Sequence, residues 1–215
     1  MPASSRYHRT LEFAALFVLL PLLIAWQGET MRRWIIPQLL LIAGLCLVLL
    51  WRDTTFDRRR LVTWPRQWRP CLLRIGILLA IGGSIVLLLA SVLLDVDPFG
   101  LPREQPVLWL AVLLLYPLLS ALPQEVIFRV FLFHRYRLLF PGRWALPLVS
   151  AGVFSLAHLQ LGNWVALLLS LAGGLLFAHT YAKTRSLGLV ALEHGLWGDW
   201  LFTLGMGRYF YGGHL

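Results

Sequence analysis

Seven stretches of this chain, 11–27, 34–51, 72–94, 107–133, 144–161, 163–182 and 187–205, are mainly apolar and long enough to matter. A helix that crosses a bilayer needs roughly 20 such residues. The chain is therefore read as an all-α protein, a polytopic transmembrane helix bundle of about seven spans. Composition agrees: 59% of its 215 residues are hydrophobic and 13% charged, where soluble domains carry about 25% charged residues. Linkers are short and no repeat or low-complexity tract interrupts the pattern, so 1–215 is expected to form a single integral membrane domain. Arg6 and Arg9 followed by an apolar run resemble a signal peptide. No small-x-small cleavage site follows and a second span comes at once, so this run is taken as the first helix.

The net charge of +9 comes from arginines outside the longest apolar runs. It bears on topology and on anionic lipid headgroups, and no nucleic acid is needed to explain it. The stretch Arg52 to Arg74 is strongly basic and is expected in the cytoplasm, whereas Asp95 to Glu104 is mostly acidic and is expected outside. The basic segments His134–Arg143 and Lys183–Arg185 fit a cytoplasmic N-terminus and a location in the cell (inner) membrane. The basic loop Gly28–Arg33 runs against this scheme. Cys46 and Cys71 have no metal-type spacing and are read as packing residues.

The fourth apolar run would be about 40 Å long as a helix, so a tilt, kink or protrusion is expected, with Pro117 and Pro123 as the kink points. It also carries Gln124, Glu125 and Arg129, although an ionised group near the bilayer centre costs at least ~2.5 kcal/mol. Glu125 and Arg129 have the i,i+4 spacing of a helical ion pair, with the acid first. Counted from the basic boundaries at Arg137, Arg143 and Arg185, Glu125, His158 and His194 lie roughly 18, 22 and 14 Å deep. Three helices thus bring one carboxylate and two imidazoles to a similar level. His179, close to Lys183, is read as a packing residue, and His134 and His214 as interfacial and solvated. Glu193, about 100° round its helix from His194, belongs to the site or pairs with another helix. Gly173–Gly174 and Gly205-x-Gly207 are read as close-packing positions.

"QEVIFR" at Gln124–Arg129, "FSLAH" at Phe154–His158 and "HGLWGD" from His194 resemble, in order and spacing, three motifs of the CPBP family of intramembrane proteases. This family includes the type 2 CAAX prenyl endopeptidases and their bacterial relatives, with patterns Glu-Glu-x-x-x-Arg, Phe-x-x-x-His and His-x-x-x-Asn/Asp. The resemblance covers about Leu108 to Leu204. It implies a catalytic core within 105–205, preceded by accessory helices in 1–104. It also implies that Glu125, His158 and His194 are catalytic, that Arg129 partners Glu125, and that Phe154 walls the site. Two positions depart from the pattern: the first acid is Gln124, which cannot accept a proton, and Gly198 stands where Asn or Asp is expected. Asp199 comes one residue late, about 140° from His194, and reaches the site only if the helix deforms near Gly195 and Gly198.

The implied activity is an intramembrane endopeptidase acting on a membrane-embedded or lipid-proximal peptide or protein substrate. Glu125 would be the base, His158 would hold the water and His194 would face the oxyanion. Gln124 would orient water or a substrate carbonyl. No cofactor is expected in this version; a second version has the carboxylate and both imidazoles binding Zn²⁺. Two other classes stand beside it: a catalytically lapsed scaffold or immunity-type protein of the same fold, favoured by Gln124 and Gly198, and a small transporter, against which the lack of an internal repeat counts.

Overall fold

The computed structural model describes residues 3–28, 33–94 and 96–210. Helix α1 covers Ala3–Ala14, a π-helical turn Ala15–Leu19 and Leu20–Trp26; α2 is Ile35–Arg52 and α3 Trp68–Leu93. Helix α4 is Pro106–Arg135, α5 is Ala145–Ala157 with a 3₁₀ extension His158–Leu161, α6 is Trp164–Thr184 and α7 Leu187–Thr203. Short helices at Gly100–Glu104 and Gly207–Phe210 complete the fold, and no strand occurs among the described residues.

Among the described residues, five helices are long and apolar enough to cross a membrane: α1 over Arg6–Trp26, and α2, α3, α4 and α6. The other two expected spans are α5, with its extension an apolar helix of Ala145–Leu161, and α7. Helix α7 is 17 residues long and buries Glu193, His194, Gly195 and Gly198 along with its aliphatic side chains. It packs against α3, α4 and α6, so its polar groups meet protein, not lipid. The outward surface has the opposite character. On α3 the exposed residues Leu73, Ile77, Ile81, Ile85, Leu88 and Val92 recur at three- and four-residue steps, which forms one apolar stripe along the helix. A chain with buried ion pairs such as Glu125–Arg129 inside and its aliphatic stripes outside suits hydrocarbon as solvent, and it is an integral membrane protein.

The long α4 takes up its length through two π-helical turns, Pro117–Ala121 and Val126–Phe131, flanking the α-helical Leu122–Glu125. Pro117 and Pro123 lack the N–H that an α-helical ladder requires, and the ladder shifts to the wider spacing at Leu122, whose N–H donates to the carbonyl of Pro117. Such π-turns are frequent at functional sites.

At one end of the bundle lie the start of α1, the end of α2, the start of α3, the ends of α4 and α6, and the start of α7. Arg135 is clamped there by Glu12 of α1, with Nε–H and Nη2–H donating at 2.6 and 2.8 Å, and the Tyr136 hydroxyl donates to the same carboxylate at 2.7 Å. His134 corrects the sequence reading: it is buried, not solvated, because Asp53 bonds its Nε2 at 2.9 Å and Phe56 packs edge-on against the ring. The Thr55 hydroxyl and the His134 imidazole hold the Asp53 carboxyl well below the usual carboxylate range. Arg74 lies inside α3 and is not a loop residue. His214, residues 29–32 of the basic loop and Asp95 lie outside the described residues.

One apolar cluster joins Phe17 of α1 and Ala43, Cys46 and Leu50 of α2 to Val126–Phe133 of α4 and Phe154 and Phe177 of α5 and α6. The N-terminal helices are therefore continuous with the core that carries the polar motifs. Both cysteines are free, Cys46 buried and Cys71 half-buried.

Candidate active site

Glu125 and Arg129 face inward from α4 and are fully buried. Arg129 Nε lies 3.2 Å from Glu125 Oε2, but without hydrogen-bond alignment, so Oε2 keeps its lone pairs free of any donor. The guanidinium is fixed by other groups. Nη1–H donates to Ser150 Oγ at 3.3 Å, Nη2–H donates to the Gly174 carbonyl at 3.4 Å, and the group lies 4.7 Å over the Phe154 ring. Gly174 allows this approach: a Cβ there would lie 3.1 Å from the Ala151 backbone. The glycine read as a packing position thus also frees a carbonyl for the buried arginine.

The other carboxylate oxygen, Oε1, is 2.8 Å from His194 Nδ1. With the carboxylate ionised, Nδ1 carries the proton and donates it, which leaves the lone pair on Nε2. Nε2 lies 3.1 Å from the Tyr116 hydroxyl. Glu125, His194 and Tyr116 therefore form one continuous chain from α4 through α7 and back to α4. The His194 ring also stacks on Phe177, with centroids 4.5 Å apart.

His158, at the C-terminal end of α5, joins them through Phe154. The Phe154 ring lies 4.7 Å from the His158 ring and 5.6 Å from that of His194, so the two histidines flank one aromatic ring, as the depth argument expects. A carbonyl only accepts, so the His158 Nδ1 contact with Phe154 O at 2.8 Å places the proton on Nδ1. Nε2 is then the lone-pair nitrogen.

Tyr116 is the member that sequence reasoning missed. A Cβ on Gly198 would lie 2.0 Å from Tyr116 Cε1 and 2.5 Å from its hydroxyl, so the phenol occupies the space that a side chain at 198 would need. Gly195 likewise admits Pro117, whose Cβ would be 3.1 Å from an added methyl. The signal available was Gly198 itself, since a glycine at a position where a polar side chain is expected leaves room for another group.

The other expected members make no hydrogen bond to the Glu125–His194–Tyr116 chain. Gln124 is turned along its own helix: its Nε2–H donates to Ser120 Oγ at 2.8 Å and its Oε1 is buried without a partner. Helix α7 is regular through Gly195 and Gly198, and Asp199 Oδ1 is buried with no hydrogen-bond partner. Glu193 pairs with another helix, its Oε1 accepting from Arg74 Nη2 at 3.0 Å, and Arg74 also bonds the Thr180 hydroxyl. His179 stacks on Trp144 at the basic end, away from this cluster.

Zinc would need three side chains converging on one point with free lone pairs. Glu125 Oε1 and His194 Nδ1 face each other and the Arg129 charge lies alongside, and no group of three His, Cys, Asp or Glu side chains suited to a metal occurs among the described residues. This donor set does not fit the metal.

Comparison with curated proteins and with solved structures gives no match. Residues 106–198 match the family model described as type II CAAX prenyl endopeptidase Rce1-like. The matched segment contains Tyr116, Glu125, Arg129, His158 and His194 and ends at Gly198. Over those residues, the chain is similar to the type II CAAX prenyl endopeptidase Rce1-like family.

Proposed function

We propose that this protein is an intramembrane endopeptidase that hydrolyses a peptide bond in a membrane-embedded or lipid-proximal substrate. The observation that carries the reading is the buried Glu125–His194–Tyr116 chain, with His158 on the other side of the Phe154 ring from His194. Glu125 Oε2, which has no donor, accepts a proton from water. His158 Nε2 accepts the second hydrogen of that water and aims its oxygen at the substrate carbonyl. His194 keeps Nδ1–H on Glu125 and so holds Tyr116, whose hydroxyl turns from Nε2 to donate to the developing oxyanion; as the intermediate collapses, the C–N bond breaks and Glu125 passes the proton it took from water to the leaving amine. Arg129, held by Ser150 and Gly174, sets its positive charge beside the carboxylate without entering the reaction.

A catalytically lapsed scaffold is the second reading, favoured by the amide at Gln124 and by the sealed position of Glu125. Incubating purified protein with a library of membrane-spanning peptides in proteoliposomes tests between them. Cleavage by the wild type that disappears in His158→Ala supports the peptidase. An inert wild type that gains cleavage in Gln124→Glu assigns the chain to the scaffold class.

The basic end of the bundle is proposed to face the cytoplasm, at the cell (inner) membrane. In a protein with Cys46 and Cys71 replaced by Ser, an impermeant thiol reagent added to intact cells should label Glu104→Cys and spare Val62→Cys. Labelling of Val62→Cys alone would reverse the orientation.

A further inference from the structure

A cavity of about 370 Å³ opens at the basic end between the end of α4, the start of α5 and the end of α6, distinct from the Glu125 cluster. Arg137, Arg143, Lys183 and Arg185 line it, with Trp144 and His179 among its walls. None of these four cations makes an ion pair among the described residues, and no carboxylate lines the cavity. Their contacts are with aromatic faces: Arg143 lies 5.1 Å over Trp144, and Arg185 lies 5.6 Å over Phe133. His179, whose ring stacks on Trp144 at 6.0 Å, faces the same concentration of positive charge, from Lys183, Arg143 and Arg74.

Four like charges around one concavity repel one another, and no carboxylate among the described residues pairs with them. Two other arginines at this end that enter the bundle are matched by carboxylates, Arg135 by Glu12 and Arg74 by Glu193. The lining thus suits an anionic group. Its position limits the source. Trp144, the N-cap of α5, is 51% exposed, and Leu148, one turn further along, is 56% exposed. An exposed Trp at the end of a membrane helix marks headgroup level, and the aliphatic surface next to it can accept an acyl chain.

We propose that this cavity binds the phosphate headgroup of an anionic phospholipid, with Arg143, in the turn before α5, and Lys183 of α6 contacting the phosphate and Arg137 and Arg185 closing the charge around it. The acyl chains would lie along α5 past Leu148. The site does not depend on peptidase activity. Occupation would tie together the ends of α4, α5 and α6, the helices that carry Glu125, His158 and the Phe177 wall.

The test is native mass spectrometry of the full chain released from nanodiscs of equal phosphatidylglycerol and phosphatidylcholine, beside thermal unfolding in detergent with added phosphatidylglycerol, phosphatidylcholine or inorganic phosphate. Wild type should retain phosphatidylglycerol selectively and unfold at higher temperature with it. Arg143→Gln/Lys183→Gln should lose that retention at least tenfold. Arg66→Gln/Arg69→Gln, which removes equal charge from exposed positions just before and at the start of α3 at the same end, should keep it. Equal retention of both lipids, or equal loss in both double variants, would overturn the proposal, because the attraction would then be that of a diffuse basic surface. Stabilisation by inorganic phosphate matching that by phosphatidylglycerol would overturn the lipid assignment and make free phosphate the ligand. Any gross folding defect in the cavity variant would be evident as a lower melting temperature without lipid, and Arg143→Gln alone then supplies the comparison.

Discussion

His158→Ala is expected to lower peptide cleavage by about 10²–10⁴-fold, the usual contribution of a group that positions or accepts the proton in general base catalysis. Glu125→Gln should have a loss of the same order, since the amide preserves size and hydrogen bonding but cannot accept the proton from water. Tyr116→Phe should lower kcat by about 10²-fold, the cost of one oxyanion donor, with KM little changed because the ring still fills the space beside Gly198. The three variants are compared on one cleavable peptide in proteoliposomes. Cleavage by Glu125→Gln at the wild-type rate would remove the carboxylate from the mechanism. An unaffected Tyr116→Phe would reduce the phenol to a packing group that orients His194.

Arg129→Leu should destabilise the protein by about 3–5 kcal/mol, the cost of leaving a buried charge without its partner. The leucine fills part of the volume, but Glu125 would remain in a fully buried position with the opposite charge 3.2 Å away removed. Removing both charges should be milder: Glu125→Gln/Arg129→Leu is expected to recover a substantial part of the loss, because no uncompensated ion remains. Unfolding in detergent micelles, arranged as a double-mutant cycle, measures the coupling. A single Arg129→Leu variant as stable as wild type would mean that Ser150, Gly174 and the Phe154 ring hold the guanidinium for some purpose other than balancing Glu125.

The helices themselves were legible in the sequence, because the bilayer sets a length that each apolar run either meets or misses. The Glu125–Arg129 pair was legible too, since i,i+4 neighbours on one helix meet whatever the fold. The convergence of His158 with His194 followed from depth, a quantity that the rise per residue supplies. Those three arguments run along a single helix axis.

What ran across helices was decided only by the tertiary structure. Tyr116 meets His194, Glu193 meets Arg74, Arg135 meets Glu12, and His134 meets Asp53, and none of these pairs is local in sequence. The rotation of a helix about its axis chooses such partners, and that rotation can be read from a sequence only when one face is polar and the other apolar. Here α4 and α7 are apolar on nearly every face, so the pattern carried depth but not direction. The direction came from packing: Gly198 yields space to Tyr116, Gly195 to Pro117 and Gly174 to Ala151 and the arginine behind it. The sequence by itself thus determined the helices, five of the seven expected spans being long and apolar enough to cross a membrane among the described residues, and the local ion pair. Which side chain faces which was left to the close contacts between helices, where the absence of a Cβ decides how near two backbones can come.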